Sequence, residues 1–389
     1  MILDTLFWLT VLAAGYTWVG YPLAVTVLGR WRRPPVSLRT RLPTLTVIIA
    51  AYNEARWIAA KLRSTLRQRY PWDRLEVIVV SDGSTDATDE IVAHYPDVRV
   101  RLLRQEERSG KSLALNRAVA ASTGDVLVFT DANALFGPEA LARLAAPFED
   151  PRVALVSGQG LYASSAAADA QAVSNGYVRF EEMVKSGEAG LGFLAGADGA
   201  IYALRRDMYD ELESAQVNDL LHPIQVALAG RVCRFDGAAY TLEPPSHGGG
   251  QEFRRHVRII AQGIYIVRDF LPRLVAAGRW RAAIMLVSHR VFRWHTALFL
   301  GTALVTNAAL AAESTIYTLT MAGQVGFYAL ALAGYLAERA GRSIGKLALP
   351  YYFCVVSVAG IGGMLRFLTS GAESVWAPTG QRAVTERAA

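Results

Sequence analysis

A chain of 389 residues has room for two or three domains. With 52% hydrophobic and 19% charged residues it is too apolar for a disordered chain and more apolar than an ordinary soluble enzyme. Its 40 basic and 34 acidic residues leave a net charge of +6, compatible with nucleic acid, anionic lipid or a phosphorylated substrate, so the distribution of charge has to separate them. Cys233 and Cys354 form no CxxC pair, which excludes a disulfide framework and a cysteine zinc site; the catalytic part is expected to face a reducing compartment.

In chain order, residues 6–28 come first, a run of 23 without a charged side chain. As a helix rising ~1.5 Å per residue it would cross a hydrocarbon layer of ~30 Å. Asp4 precedes the run, and Arg30, Arg32, Arg33, Arg39 and Arg41 follow it. A cleavable signal peptide carries its positive charge on the other side, so the expectation is an uncleaved anchor with its N-terminus outside.

Between residues 42 and 250 short β-branched runs alternate with helical stretches. Strands are expected at 45–50, 76–81, 98–103 and 126–130, and helices near 57–68, 85–94, 111–121 and 138–146. That alternation predicts an α/β fold with a mostly parallel sheet covered on both faces, where ligands sit beyond the carboxyl ends of the strands. Tyr52-Asn53-Glu54 follows the first run, Asp82-Gly83-Ser84-Thr85-Asp86 the second and Asp131-Ala132-Asn133 the fourth. Carboxylates at three adjacent strand ends would converge on one crevice, although Ser84 or Thr85 taken alone would serve equally as a helix N-cap. Asp131 and Asn133 offer oxygen ligands two residues apart, suited to a hard divalent cation that also grips diphosphate oxygens.

Two other nucleotide motifs are incomplete. Gly110-Lys111-Ser112 resembles the end of a P-loop, but Gln105 stands where that loop needs its first glycine. Gly158-Gln159-Gly160 lacks the third glycine of a dinucleotide fingerprint. A P-loop kinase or ATPase and a hydride-transferring Rossmann enzyme are both disfavoured.

Residues 254–281 hold seven arginines and one aspartate among isoleucine, valine, leucine and phenylalanine. The stretch suits a helix lying in the headgroup plane, with arginines in phosphate and apolar side chains in the acyl boundary; the other reading is a basic surface helix of the α/β domain. Runs 296–312 and 314–337, separated only by Glu313, read as a hairpin that crosses and returns, with Arg339, Arg342 and Lys346 on the side of the first arginine cluster. Run 347–365 contains Pro350, Gly360, Gly362 and Gly363 and either spans or re-enters. Six of the eight tryptophans (Trp8, Trp18, Trp31, Trp280, Trp294 and Trp376) fall outside 42–250, as interfacial anchoring predicts. The positive charge thus belongs mostly to membrane flanks, against a nucleic-acid partner.

The segments IIAAYNE (48–54), VVSDGSTDAT (79–88), RSGKSLALNRAV (108–119), GDVLVFTDAN (124–133), GADGAIYALRR (196–206), VNDLLHPIQVALAG (217–230) and EFRRHVRI (252–259) complete the picture. In this order they resemble the membrane-integrated family 2 glycosyltransferases, with a Rossmann-like type A nucleotide-sugar fold, related to bacterial exopolysaccharide synthases. The resemblance implies an inverting transfer from a nucleotide sugar, usually a UDP-sugar, to a lipid-linked or polysaccharide acceptor at the cytoplasmic face of the bacterial inner membrane. It implies that Ala51, Tyr52, Glu54 and Asp82 hold the base and ribose and that Lys111 lines the donor pocket. Asp131 and Asn133 take the position that binds Mg2+ or Mn2+ on the diphosphate, and Asp219, preceded by Asn218, matches the general base. Arg255 and Arg258 match a basic motif for the leaving diphosphate, but Ile259 stands where processive synthases carry tryptophan, which points to single or limited sugar addition. Asp198 is a further candidate. His222, three residues after Asp219, would orient the base, contact metal or serve structure ahead of Pro223. His247 falls on a Gly-rich loop, 246–250, that reads as a lid or a plain linker.

The implied organisation is an anchor and basic flank (1–41), a cytoplasmic transferase domain (42–250), interfacial helices (251–295), C-terminal transmembrane helices (296–368) and a tail (369–389). A membrane-anchored nucleotide-binding regulator without catalysis is the alternative. Such a protein is expected to have lost Asp82, Asp131, Asp219 or Arg258, and all four are present.

Overall fold

The computed structural model describes residues 1–30, 42–162, 168–244, 249–342 and 344–370. Arg32, Arg33, Arg39, Arg41, Trp31, Trp376, His247 and the tail beyond residue 370 lie outside the described residues.

Eight strands, β1 (Leu45–Ala51), β2 (Leu75–Asp82), β3 (Val100–Gln105), β4 (Val126–Asp131), β5 (Leu135–Phe136), β6 (Val153–Tyr162), β7 (Tyr202–Arg205) and β8 (Val232–Glu243), form one sheet in the order β3-β2-β1-β4-β7-β6-β8-β5. The half built from β1 to β4 is wholly parallel, as expected. Beyond β4 the sheet is mixed: β7 is antiparallel to both β4 and β6, β6 and β8 are parallel, and β5 closes the edge antiparallel to β8. Successive side chains of β1, β2 and β4 alternate between two buried cores, Ile48, Ile78 and Leu127 on one face and Val47, Val77 and Val128 on the other. These strands are therefore continuous apolar runs.

Helices α3 (Ile58–Leu66), α4 (Thr88–Ala93), α5 (Lys111–Ala121) and α6 (Ala140–Ala145) connect the strands near the expected positions. The second is shorter than the expected 85–94, because Gly83 at φ +72 opens a turn and Asp86 Oδ1 accepts the Thr88 N–H at 3.0 Å. Neither Ser84 nor Thr85 is the cap. Asp86 meets that orphan donor instead.

Before the sheet, α1 (Ile2–Gly15) runs through a π turn at Tyr16–Gly20 into α2 (Tyr21–Arg30). After β6 come α7 (Ala168–Gly190) and α8 (Asn218–Leu228); after β8 come α9 (Gly249–Ala276), α10 (Trp280–Leu286), a π turn at Val287–Val291 and α11 (Phe292–Trp294). Then follow α12 (Thr296–Leu310), α13 (Thr315–Arg339) and α14 (Ala348–Ser370).

Among the described residues three helical segments, Ile2–Arg30, Thr315–Arg339 and Gly345–Ser370, are long and apolar enough to cross a membrane, and Thr296–Leu310 is a shorter apolar helix. In α14 Pro350 lies in the first turn, where its missing N–H breaks no intrahelical bond. The glycines of α14 mark close packing rather than breaks. A Cβ on Gly362 would come 2.8 Å from Val257 Cγ2 and one on Gly363 2.5 Å from Ile260 Cγ2, so α9 lies directly on this face.

The expectation for residues 254–281 is corrected. Ile260, Ile266, Val267, Phe270 and Leu274 are buried in the same protein core as Ile48, not free for an acyl boundary. The helix packs against α14, α8 and α10, and these neighbours take its apolar stripe. On its outer side Arg254, Arg268 and Arg273 are exposed, followed by Arg279, Trp280, Arg281 and Ile284.

Candidate active site

The ends of β2, β1 and β4 are neighbours in the sheet, and the polar residues after them form one connected floor. Asn53 has φ +56, the only positive value at a non-glycine among the described residues, a conformation that asparagine tolerates better than most side chains. Its N–H donates to Ser84 Oγ at 3.1 Å and its Oδ1 accepts the Thr85 N–H at 2.8 Å, tying the β1 loop to the β2 loop. The next residue, Glu54, donates its N–H to Thr88 Oγ1 at 2.8 Å. Burial, with the charges of Asp131 and Asp86 nearby, pushes the Glu54 carboxyl up to about 7. Tyr52 lies under the Arg108 guanidinium, 4.0 Å from its ring centre.

Asp82 ends β2 and is 3% exposed. It accepts N–H groups from Ser109 at 2.8 Å and Gly110 at 3.0 Å, so it holds the loop that launches α5. Lys111, the first residue of that helix, reaches Asp131 Oδ1 at 2.6 Å. Burial disfavours the Lys111 charge, but Asp131 and Asp219 outweigh it and hold the ammonium above its ordinary range.

Asp219, in the first turn of α8, approaches from the other half of the sheet. Burial raises its carboxyl, opposed by the charges of Lys111 and Arg290 and reinforced by Asp131 and Asp198. Arg258 of α9 lies in the field of Asp131 and Asp219, with Arg255 and Arg366 also close enough to act on it. Arg255 donates to Tyr162 Oη at 3.3 Å. Asp198 Oδ2 accepts the Gly160 N–H at 3.0 Å and pairs with Lys185 at 3.3 Å. Asp131, Asp219, Lys111 and Arg258, from four separate elements, thus act on one another in one cleft. Ala51 is buried at the end of β1, and Asn133 is partly exposed two residues beyond Asp131.

One histidine candidate falls elsewhere. His222 is 0% exposed, with Nδ1 2.9 Å from Tyr202 Oη among Phe129, Tyr202 and Tyr209, and burial pushes its imidazole down to about 3. It is a neutral core residue rather than a metal contact, because the helical face it shares with Asp219 turns inward one turn on. His247 lies outside the described residues.

Three groups at the cleft escaped the sequence reading. Lys61 is fully buried, donating Nζ to Thr130 Oγ1 at 2.7 Å and to Ala134 O over the Phe136 ring, and burial holds its amine well below its usual range. Glu243 ends β8, and burial together with Asp198 and Asp131 raises its carboxyl to about 8. Arg290 donates Nε to Ala195 O at 2.9 Å, and its guanidinium occupies the space a side chain would need at Gly196. Only Glu243 carried a usable signal, a carboxylate closing a β-branched run.

The mixed α/β sheet, with polar residues of both signs at its parallel strand ends and apolar helices beside it, has the type A glycosyltransferase fold. The Glycosyl transferase family 2 profile matches residues 46–211, so that stretch is a family 2 glycosyltransferase domain and the chain is a glycosyltransferase. A probable glycosyltransferase of Bacillus subtilis, YdaM, is 28% identical over 304 residues, spanning 75% of this chain and 70% of that protein. The succinoglycan biosynthesis protein ExoO of Rhizobium meliloti is 36% identical over 104 residues, 27% of this chain and 29% of that protein. Among solved structures, the mannosyltransferase PcManGT from Pyrobaculum calidifontis, in complex with GDP-Man and Mn2+, shares the fold with a TM-score of 0.67 at 24% identity, over 94% of this chain and 99% of that one.

Proposed function

We propose that this glycosyltransferase moves a sugar with inversion from a nucleotide diphosphate sugar, a UDP-sugar first, to a lipid-linked or polysaccharide acceptor. The reaction belongs to surface or exopolysaccharide biosynthesis, at the cytoplasmic face of a bacterial inner membrane. One observation carries this reading: Asp219, a carboxylate able to take an acceptor proton, shares its cleft with Lys111 and Arg258, cations able to hold a leaving diphosphate. The likeness to ExoO supports the polysaccharide pathway, and GDP-Man in PcManGT supports a nucleotide diphosphate sugar as donor.

Asp131 and the Asn133 amide oxygen would hold Mg2+ or Mn2+. Among the described residues no group of three or more His, Cys, Asp or Glu side chains forms a closed cage for a metal ion. That fits the requirement, since a cation on a diphosphate keeps several ligand positions for phosphate oxygens and water. When bound, it supplies positive charge against the diphosphate. Glu54 and Asp82 fix the strand-end loops on which the nucleoside would lie, and Arg255 adds a second guanidinium for the leaving group. Direct attack by the deprotonated acceptor hydroxyl breaks the sugar–phosphate bond and inverts the anomeric carbon. Arg30 and Arg339 close their helices, as a cytoplasmic orientation of both ends requires.

The test is a panel of nucleotide sugars offered to detergent-solubilised protein with a lipid-linked sugar acceptor. Acceptor-dependent release of nucleotide from one donor is the expected result. Tight nucleotide binding with no turnover on any donor would favour the regulator.

A further inference from the structure

Away from the donor cleft, a buried ionic cluster joins the N-terminal membrane helix to the catalytic domain. Glu188 of α7 is 0% exposed and His289 3% exposed. Glu188 Oε1 accepts the Tyr21 hydroxyl of α2 at 2.5 Å and lies 2.6 Å from His289 Nδ1, while Oε2 accepts the Ala195 N–H at 3.1 Å. His289 Nε2 faces Glu181 at 3.6 Å, and Glu181 is ion-paired with Arg293, whose guanidinium lies 5.1 Å from the Trp18 ring. Burial alone would raise the Glu188 carboxyl; His289, with hydrogen bonds from Tyr21 and Ala195, holds it below the usual carboxylate range. A cluster of this kind is a poor source of stability, because desolvation offsets most of the attraction, so its value lies in the geometry it imposes.

That geometry leads to Asp219. Both backbone groups of Ala195 are held, its N–H by Glu188 and its C=O by Arg290 Nε at 2.9 Å. Two residues on, the Ala197 N–H donates to Asp219 O at 2.8 Å. At Gly199 a Cβ would come 3.0 Å from Asp219 Oδ2, so the segment also lies against the carboxylate itself. We propose that Glu188 is a positioning residue for Asp219, acting through the Ala195–Gly199 segment, and that Tyr21 makes the membrane helix part of the same clamp. This rests on the reading of Asp219 as the base.

The experiment uses the full chain in lipid vesicles and measures transfer kinetics for Glu188→Gln, Tyr21→Phe, Asp219→Asn and the Glu188→Gln/Asp219→Asn pair. A base displaced by an ångström costs on the order of 10²-fold, so Glu188→Gln should lower kcat by about that factor while donor KM stays nearly unchanged. Tyr21→Phe loses one hydrogen bond and should lower kcat about fivefold. In the Asp219→Asn background Glu188→Gln should cost little more, because both act through one group. Wild-type kcat in Glu188→Gln, or its full loss repeated in the Asp219→Asn background, would overturn the proposal. Should Glu188→Gln not fold, wild-type kcat in Tyr21→Phe overturns it. Wild-type turnover by Asp219→Asn removes the base reading and this proposal together, whereas an inactive Asp219→Asn beside a fully active Glu188→Gln removes this proposal alone.

Discussion

Lys111 Nζ lies 2.6 Å from Asp131 Oδ1, so the first residue of α5 is ion-paired with the last residue of β4. The pair puts a cation and a carboxylate side by side where the parallel half of the sheet meets β7, where a diphosphate and its metal would arrive. With Asp131 Oδ1 held by the lysine, Oδ2 and the Asn133 amide oxygen would remain to hold a divalent cation. Lys111→Met should raise donor KM about 10- to 100-fold, the usual worth of a hydrogen bond to a charged group, and initial rates over a donor series would measure it.

Metal dependence follows from the same corner. A chelator should abolish transfer, and added Mg2+ or Mn2+ should restore it. Asp131→Ala should remain folded by circular dichroism yet lose both turnover and Mn2+ binding by calorimetry. Full activity in chelator would refute the ligand assignment.

Glu54 sets a pH dependence whose sign can be stated. Its carboxyl titrates at about 7 in the folded chain against an ordinary value of 4.5. Between those values the folded state binds more protons than the unfolded one, so stability falls as pH rises. The contribution is fully present below the unfolded value and lost as pH rises through about 7. Glu54→Gln cannot ionise, and its Tm should therefore fall less than the wild type's between acid and neutral pH. Parallel melting curves for the two proteins would contradict this.

Asp219→Asn keeps the size of the side chain and removes its basic lone pairs. General-base assistance is typically worth ~10²–10⁴ in rate, so kcat should drop by about that factor with donor affinity little changed. If Asp219 only stabilised the start of α8, Asn would serve as well and both rate and stability would stay near wild type. Turnover at saturating donor and acceptor separates the two.

Ile259 follows Arg258 where an aromatic platform for a growing chain would need tryptophan. The product should be extended by one or a few sugars. Mass analysis showing long polymer from purified enzyme would overturn that expectation.

The parallel half of the sheet was legible from residues 45–131 because buried strands read as continuous apolar runs, and the loops after them must carry whatever binds ligand. Tyr52, Asp82, Lys111, Asp131 and Asp219 stand out on those grounds and on motif resemblance, and the fold brings their segments to one cleft. The long apolar helices at Ile2–Arg30, Thr315–Arg339 and Gly345–Ser370 were equally plain, since twenty uncharged residues have few alternatives in water, whereas Thr296–Leu310 is shorter than the crossing expected of it. Partnership was not legible. The apolar stripe of α9 looks the same whether lipid or protein covers it, and only the tertiary fold assigned Ile260 and Phe270 to the core. Periodicity likewise put His222 on the face of Asp219 without showing that this face turns toward Tyr202. Lys61, Arg290, and the pairing of Tyr21 with Glu188 across 167 residues have no local signature at all. A buried charge is tolerated only where partners from other elements meet it, and which elements meet is decided by packing in three dimensions, not by spacing along the chain.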